Sequence, residues 1–450
     1  MIKMGKILDL AEDLWVSKKD TFSNHPFGVP RGLELINEYN SQRTWFYRGF
    51  SNSVLRETDD GLIVIDPGAD FDGERRFNVI REATTQKVNT IIFTHGHVDH
   101  VGIKPFLEEC KNQGWLNPQI IAHEAVINRF NRYKLTNSWN GFINLRQFRG
   151  GKGKPAFKND FEYPTLTYRD ELIVKVGDVE IHLKHSRGET DDHTWVYFSD
   201  TGILCTGDLF IWGVPNAGNP QKVQRYAYEW AAALREMMKC NPKILCPGHG
   251  VPIIGQERVK EALDNTALLL ESLHSQTISL MNNGATLDKV IHSVKVPDEL
   301  LNKPYLKPIY DEPEFIVRNI WRYYGGWYDG TSSHLKPAPE IDQAKEIANL
   351  AGGAEKLAER ALELTNEGKL RLACHLAEWA WLCSPNDDHI KEMTSKVFML
   401  RAKSEKSTMA IGIYLSTARK MGADVEKEMP GRNIIQAQEL RNQANKKSFS

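Results

Sequence analysis

The stretch that decides the fold is THGHVDHVG, at residues 94–102. It follows the β-branched run VNTIIFT, which is typical of a buried strand, so its histidines begin where the strand ends. His95 and His97 are one residue apart in extended chain, project to the same side and can bind one ion. Asp99 and His100 then fall within reach of a second ion. The pattern HxHxDH therefore predicts a metal centre in a loop that follows a strand.

The composition argues against several other kinds of protein. Lys plus Arg (57) nearly equals Asp plus Glu (58) in the 450 residues, and no run of like charges stands out, which argues against nucleic acid or a membrane as main partner. We therefore expect a small-molecule substrate. The N-terminal segment carries Asp9, Glu12 and Asp13 where a secretion signal needs an apolar stretch, and the six cysteines form no CxxC pair. Both features favour a cytoplasmic location.

The hydrophobic pattern divides the chain into two predicted domains, 1–256 and 257–450. In the first, short β-branched runs alternate with turns rich in Gly, Pro and Asp and with helix-length segments, which is typical of an α/β fold. In the second, long helical periodicities predict an all-α domain. The predicted strands and hairpins of the first domain are 52–68, 88–94, 171–185, 195–207 and 243–248.

Four short motifs together resemble the metallo-β-lactamase superfamily: DPG, THGHVDHVG, TGD and PGHG, each placed after a predicted strand. The resemblance implies an αββα sandwich with metal ligands on loops at one edge of two packed sheets. It implies that Asp208, in TGD, bridges two divalent ions. It also implies that His249, in PGHG, completes a second site with Asp99 and His100.

The third ligand of the first ion is expected in RGETDDHT, at residues 187–194. The superfamily usually has Gly-His-Thr here, whereas this chain has Gly-Glu-Thr. The alkylsulfatase branch is similar in using a glutamate at that position, so the resemblance implies Glu189 as the ligand beside His95 and His97. His193, four residues on, is the alternative, because zinc favours imidazole.

Further residues are expected around these ligands. Asp191 and Asp192 would accept hydrogen bonds from ligand imidazole N–H groups, with solvated loop acids as the alternative, and His185 would pack or hydrogen-bond near the site. The segment after the bridging residue offers candidates for binding an anionic substrate, and these are Asn216, Asn219, Lys222, Arg225 and Tyr226. The alternative is that the basic residues begin a helix with solvated side chains.

Residues 310 to 420 resemble the alkylsulfatase dimerisation domain, which implies a homodimer. Within them, GAEKLAERALELTNEG and KLRLACHLAEWAWLCSPND look like one tetratricopeptide-type helical pair. The chain departs from the alkylsulfatases in three respects. It stops near residue 450 without their C-terminal sterol-carrier-like domain, it has Asp208 for the usual bridging glutamate, and its segment 210–230 does not match theirs residue by residue.

The expected function is that of a dinuclear metal-dependent hydrolase. Two ions, zinc by analogy with iron or manganese as alternatives, would share a water and lower its pKa towards neutrality, giving a metal-bound hydroxide as nucleophile. Asp99 and Asp208 are the ligands expected to take part in catalysis. The expected substrate is a sulfate ester or another small ester. The alternatives are a lactone, thioester or phosphodiester hydrolase, or an iron-dependent oxygen-handling member of the superfamily.

Overall fold

The computed structural model describes residues 5–17, 31–148 and 157–429. The chain divides into two compact units. The first, here called the sandwich unit, comprises Met1–Leu135 and Lys158–Trp327. The second, here called the helical unit, comprises Thr136–Phe157 and Tyr328–Ser450.

The first sheet of the sandwich unit has seven strands in the described part of the chain: β1 (Gly32–Tyr39), β2 (Gln42–Arg48), β3 (Ser53–Thr58), β4 (Gly61–Ile65), β5 (Val88–Ile92), β6 (Gln119–His123) and β7 (Leu166–Tyr168). They lie side by side in chain order. The pairs from β1 to β4 are antiparallel, and those from β4 to β7 are parallel. The hairpin predicted at 52–68 is β3 with β4, and the strand predicted at 88–94 is β5.

The second sheet has six strands among the described residues: β8 (Glu171–Val176), β9 (Val179–His185), β10 (Thr194–Phe198), β11 (Ile203–Ile211), β12 (Ile244–His249) and β13 (Ile253–Ile254). They also follow chain order. All pairs are antiparallel except β11 with β12, which is parallel. The remaining predicted hairpins and strand are therefore present.

The helices of the sandwich unit are α1 (Lys6–Ser17), α2 (Gly73–Ala83), α3 (Lys104–Gln113), α4 (Ala125–Leu135), α6 (Ala227–Lys239), α7 (Gln256–Asn282), α8 (Leu287–Ser293), α9 (Asp298–Leu301) and α10 (Pro313–Gly325). Those of the helical unit are α5 (Asn137–Gln147), α11 (Ser332–Leu335), α12 (Glu340–Ala351), α13 (Ala354–Asn366), α14 (Leu370–Cys383), α15 (Asp388–Ser404), α16 (Thr408–Lys420) and α17 (Val425–Glu428). In the described ranges, no helix combines the length and the apolar composition that crossing a membrane requires.

Two apolar cores hold the sandwich unit together. One lies between the sheets, where Phe46 and Ile92 of the first sheet meet Leu183 and Phe198 of the second. The other buries the outer face of the second sheet under α6, α7 and α10. Strand β11 contributes residues to both cores, and every one of its residues is buried. The predicted α/β sandwich followed by helices is confirmed.

The compact units do not divide at the predicted boundary between residues 256 and 257. The long helix α7 begins there, but its apolar residues, among them Leu263 and Leu270, belong to the same core as Leu209 of β11. Helix α10 joins that core through Ile316 and Ile320. Helices that follow the sheets in sequence therefore complete the sandwich unit, because the second sheet needs an apolar cover on its outer face.

The helical unit is built on helices that pack closely through small side chains. Helices α13 and α14 form the predicted pair and meet through Ala361, Ala373 and Ala377. Helix α5 joins this unit from far earlier in the chain by packing on α16. Gly412 permits that approach, since a Cβ there would lie 2.4 Å from the carbonyl oxygens of two α5 residues.

Trp230 of α6 can be used to test how much the core under the second sheet stabilises the sandwich unit. Its side chain is fully buried, and its indole N–H donates to the Leu209 carbonyl at 2.7 Å. We expect Trp230→Ala to lower the free energy of unfolding by about 3–5 kcal/mol, measured by urea unfolding. Tyr228→Ala, on the exposed side of the same helix (55% exposed), is the control and should change it by less than about 0.5 kcal/mol. Equal effects of the two substitutions would contradict this account.

Candidate metal centre

The seven predicted ligands come from four places in the sandwich unit. His95, His97, Asp99 and His100 lie in the loop after β5, and Glu189 lies between β9 and β10. Asp208 lies within β11, and His249 ends β12. Because β11 and β12 are parallel, their carboxyl ends reach the same edge of the sheet.

The first group consists of His95, His97, Glu189 and Asp208, whose ligand atoms all lie within 4.8 Å of one another. His95 Nε2 faces His97 Nδ1 at 2.8 Å. Glu189 Oε1 is 3.7 Å from His97 Nδ1, and Asp208 Oδ2 is 3.8 Å from His95 Nε2. Two imidazoles and two carboxylates therefore point at one small volume.

The second group consists of Asp99, His100 and His249. Asp99 Oδ2 is 3.6 Å from His100 Nε2 and 3.5 Å from His249 Nε2. Asp208 also reaches this group, with Oδ1 3.4 Å from His100 Nε2 and Oδ2 3.4 Å from His249 Nε2. Asp208 is thus the residue that lies against both groups.

The donor atoms suit divalent cations. Within the described residues, the buried atoms His100 Nε2, Glu189 Oε2 and Asp208 Oδ1 have no hydrogen-bond partner. Leaving such atoms unsatisfied costs free energy, and cations bound in the two groups would satisfy all three. Burial lowers the pKa of both His95 and His97, which keeps their imidazoles neutral, as metal binding requires.

The charge around His100 also fits a cation. Burial alone would lower the pKa of His100, but the carboxylates of Asp208, Asp66 and Asp99 outweigh it and raise that pKa to about 10. His249 is shifted in the same direction, again because Asp208 outweighs burial. The carboxylates therefore concentrate negative charge that a proton balances here and that a metal ion would balance in its place.

The outward nitrogens of three ligand imidazoles already have partners. His100 Nδ1 lies 2.8 Å from Asp66 Oδ2, and His249 Nδ1 donates to the Phe50 carbonyl at 2.6 Å. His95 Nδ1 lies 3.0 Å from Thr94 Oγ1. These partners orient each ring so that Nε2 faces its group, which is the usual arrangement of metal-binding histidines.

Gly248 makes room for the shared carboxylate. A Cβ at this position would lie 2.0 Å from Asp208 Oδ1. Any other residue at position 248 would therefore displace the Asp208 side chain, which lies against both groups. The glycine before His249 has a steric role.

Two family models match the chain: "Metallo-beta-lactamase superfamily" over residues 46–249 and "Alkyl sulfatase dimerisation" over residues 286–424. The first covers every residue of both groups. Residues 46–249 therefore carry a domain of the metallo-β-lactamase superfamily. The chain also carries an alkylsulfatase-type dimerisation domain. The expectation that it falls in a family of metal-dependent hydrolases is confirmed.

Known relatives and solved structures agree with this membership. A "Linear primary-alkylsulfatase" of Pseudomonas sp. (strain ATCC 19151) is 26% identical over 399 residues, covering 84% of this chain and 76% of the relative. The "Alkyl/aryl-sulfatase BDS1" of Saccharomyces cerevisiae (strain ATCC 204508 / S288c) is 24% identical over 407 residues, covering 84% of this chain but only 62% of the relative. The chain thus spans under two thirds of some alkylsulfatases that it matches. The structure of the "stereoselective inverting sec-alkylsulfatase Pisa1 from Pseudomonas sp." superposes with a TM-score of 0.76 and 20% identity, covering 90% of this chain and 68% of the other, which shows a shared fold.

Within this metallo-β-lactamase domain, Glu189 and the alternative His193 are placed differently. Glu189 belongs to the first group. His193 stacks on the His95 ring (4.4 Å between centroids, 16° between planes), and its Nε2 lies 3.2 Å from the Thr206 carbonyl oxygen. A carbonyl oxygen can only accept a hydrogen bond, so in this contact His193 Nε2 is the donor and its N–H is not available as a metal ligand.

Glu189 is held by two residues that were predicted to bind substrate. Arg225 Nη1 lies 2.6 Å from Glu189 Oε1, and Asn216 Nδ2 donates to the same oxygen at 2.5 Å. Burial raises the pKa of Glu189, the Arg225 guanidinium opposes that shift, and the nearby Asp208 carboxylate adds to it. Arg225 and Asn216 therefore both position the Glu189 carboxylate, and the Arg225 guanidinium also balances its charge.

The other three predicted substrate residues are spread around the site. Asn219 donates its backbone N–H to Asp311 at 3.1 Å, and the Tyr226 ring lies 5.3 Å from the Arg187 guanidinium. Burial and Arg225 lower the pKa of Lys222 to about 8, whereas Glu189 and Asp99 act in the opposite direction. The ammonium group of Lys222 thus lies in the field of both groups.

The expected partners of Asp191 and Asp192 were wrong. Instead of accepting from ligand imidazoles, both carboxylates pair with the buried Arg129 of α4, Asp192 with Arg129 Nε at 2.6 Å. Asp192 also accepts the Gly96 backbone N–H at 3.1 Å. His185 stacks on the His123 ring at 3.7 Å between centroids, and its Nδ1 donates to the His193 carbonyl at 2.8 Å.

Sequence reasoning missed three residues that matter here. Arg129 was not singled out because one arginine in an amphipathic helix carries no pattern. Tyr310, between α9 and α10, is a half-buried residue whose phenol pKa is raised by loss of solvent and by Glu189. Asp66 accepts from Thr94 and lies against His100, and its place in DPG was the one signal available.

The placement of Glu189 and His193 predicts opposite effects on bound metal. Glu189→Gln keeps the shape and the contact with Arg225 but removes the ligand charge, so we expect the variant to retain less bound metal than the unmodified chain after gel filtration. His193→Asn should retain as much metal as the unmodified chain. Metal analysis by mass spectrometry, with circular dichroism to confirm folding, measures both. The reverse pattern would make His193 the ligand.

Proposed function

We propose that this chain is a two-metal hydrolase that cleaves the sulfate esters of aliphatic alcohols. The observation that carries the proposal is the gathering of seven ligand-type residues into two groups around one shared carboxylate, Asp208. The carboxylate Glu189 at the third position of the first group matches the pattern implied for the alkylsulfatase branch.

The residues divide between two ions, for which zinc is the proposed metal. His95, His97 and Glu189 would hold one, and Asp99, His100 and His249 the other, with Asp208 shared. Bound there, such ions acidify a water molecule and act as Lewis acids towards substrate oxygens.

The chain's own residues set the charge and the open side of the site. Glu189 adds a negative charge that a histidine would not, and Arg225 balances it at 2.6 Å. The side chains of Asp99 and His97 are each 17% exposed, against 5% for Asp208 and 2% for Glu189. Substrate therefore reaches the site past Asp99 and His97, and Asp99 is the carboxylate placed to hold a proton during turnover.

An anionic substrate is favoured by Lys222, which interacts electrostatically with Asp99 on this open side. We assign Lys222 to the substrate's sulfate group, since its ammonium lies in the field of Asp99 as well as Glu189. Arg225, Asn216, Asn219 and Tyr226 stay predictions as substrate contacts. Since Arg225 and Asn216 already bind Glu189, we expect them to act on the substrate through that residue.

The names of the relatives support the substrate class. Those quoted above act, by name, on primary alkyl, secondary alkyl or aryl sulfates, and this chain shares the fold of one of them. The match of residues 286–424 to a dimerisation model supports a homodimer, which we also propose. The cytoplasmic location stays a prediction from the sequence.

Sulfate release tests the function. We expect the zinc-loaded chain to release sulfate from a linear alkyl sulfate, to stop after chelation and to recover with zinc. His97→Ala, which removes a ligand, should lower the rate at least about 100-fold while circular dichroism stays unchanged. Val223→Ala, an exposed position beside Lys222, is the control that should keep the rate.

The alternatives have their own readouts. If the chain hydrolyses a lactone, thioester or phosphodiester but releases no sulfate from any alkyl sulfate, the proposed substrate class is wrong. The proposal of a two-metal hydrolase would still stand. Iron in protein purified without added metal, together with oxygen consumption, would contradict hydrolysis itself.

A further inference from the structure

Two buried arginines, Arg76 and Arg129, contact segments that hold the two groups of predicted ligands. Arg76 belongs to α2 and is 0% exposed, and Arg129 belongs to α4 and is 2% exposed. A buried arginine is costly unless its donors are used, so its partners indicate its role. The two arginines have entirely different partners.

Arg76 joins two turns of the first sheet. Its Nη2 donates to the Ser51 carbonyl at 2.8 Å, and its Nη1 donates to Ser53 Oγ. Its guanidinium also lies 4.6 Å from the Tyr47 ring. A Cβ on Gly68 would lie 2.1 Å from the Arg76 guanidinium carbon, so the side chain fills the space against the DPG turn. Arg76 therefore connects the turn at residues 49–52 with the turn at residues 66–68.

These two turns hold every member of the second group. In the 49–52 turn, Ser51 Oγ donates to the Asp99 carbonyl, and the Phe50 carbonyl accepts from His249 Nδ1 at 2.6 Å. In the 66–68 turn, Asp66 Oδ2 lies 2.8 Å from His100 Nδ1.

The 49–52 turn also holds the PGHG turn that carries His249. Asn52 donates from its backbone N–H to the Gly248 carbonyl at 2.8 Å and from Nδ2 to the Pro247 carbonyl at 2.9 Å. Displacing the 49–52 turn would thus move His249 by two routes, through Phe50 and through Asn52.

Arg129 connects the two loops of the first group instead. It pairs with Asp191 and with Asp192, and Asp192 accepts the backbone N–H of Gly96 at 3.1 Å. Gly96 separates His95 from His97, and Glu189 precedes Asp191 by two residues.

We propose that the two arginines position the two ion sites separately, Arg76 acting on Asp99, His100 and His249, and Arg129 acting on His95, His97 and Glu189. The inference rests on the proposed two-ion centre. Neither arginine touches the ligand atoms, so each is a positioning residue. Each ion site can then be weakened without the other.

Zinc titration of the chelated full-length chain against a chromophoric competitor tests the inference. Lysine keeps the charge but cannot make the two directed bonds, so Arg76→Lys and Arg129→Lys should each weaken one of the two zinc dissociation constants by about 10–100-fold. Arg56→Lys is the matched control: Arg56 is 0% exposed in β3, pairs with Asp200 at 2.5 Å and should lose stability while keeping both constants.

Ligand variants identify which ion is lost. Combined with Arg76→Lys, His97→Ala should abolish the remaining tight site, whereas His249→Ala should add little. Combined with Arg129→Lys, His249→Ala should abolish the remaining tight site, whereas His97→Ala should add little. The reason is that two changes at the same ion site are non-additive. Ser51→Ala is a smaller change that removes the hydrogen bond to the Asp99 carbonyl, and it should weaken binding of the same zinc ion as Arg76→Lys. It replaces Arg76→Lys in the test if that variant does not fold.

Several results would overturn the inference. Retention of both zinc constants in Arg76→Lys and Ser51→Ala would leave the arginines a purely structural role. Equal weakening of both constants in every arginine variant would lead to the same conclusion. A wild-type chain that binds fewer than two zinc ions would overturn the two-ion proposal and this inference with it. Sulfate release has no part in the readout, so the substrate class is tested separately.

Discussion

The constraint on which the rest of the structure depends is the position of one buried carboxylate, Asp208, against two groups of predicted metal ligands. Asp208 lies 3.8 Å from His95 and 3.4 Å from both His100 and His249. Burial alone would raise the pKa of Asp208, but the imidazoles of His249 and His100 hold it well below its usual range. A charged carboxylate in a buried setting needs compensating charge on several sides, and the chain supplies loops from both sheets to provide it.

The fold meets this demand through β11 and β12. Every residue of β11 is buried, so Asp208 sits in a strand that two apolar cores fix from both faces. The parallel neighbour β12 brings His249 to the same edge, and Gly248 keeps the space for the carboxylate. The helices α6, α7 and α10 contribute to the site from a distance, because they cover the outer face of the sheet that carries Asp208.

Much of this could be predicted from local sequence. HxHxDH, TGD and PGHG each lie within a strand or within a few residues after one. The alternation of strand and turn signals located β3, β4 and β5 of the first sheet and β8 to β12 of the second, but not β1, β2, β7 or β13. Arg129 and Tyr310 could not be predicted, since their roles arise only when α4 and the segment before α10 pack near RGETDDHT. The same applies to α5, whose place in the helical unit depends on Gly412, more than 250 residues away along the chain. Periodicity gives an element but not its packing partner.

The most direct test of the shared carboxylate is anomalous diffraction at the zinc edge from crystals of the zinc-loaded chain. The account predicts two zinc ions about 3.5–4 Å apart, with Asp208 oxygens about 2.0–2.2 Å from both. One ion held by His95, His97 and Glu189 alone, or two ions of which Asp208 binds only one, would contradict it.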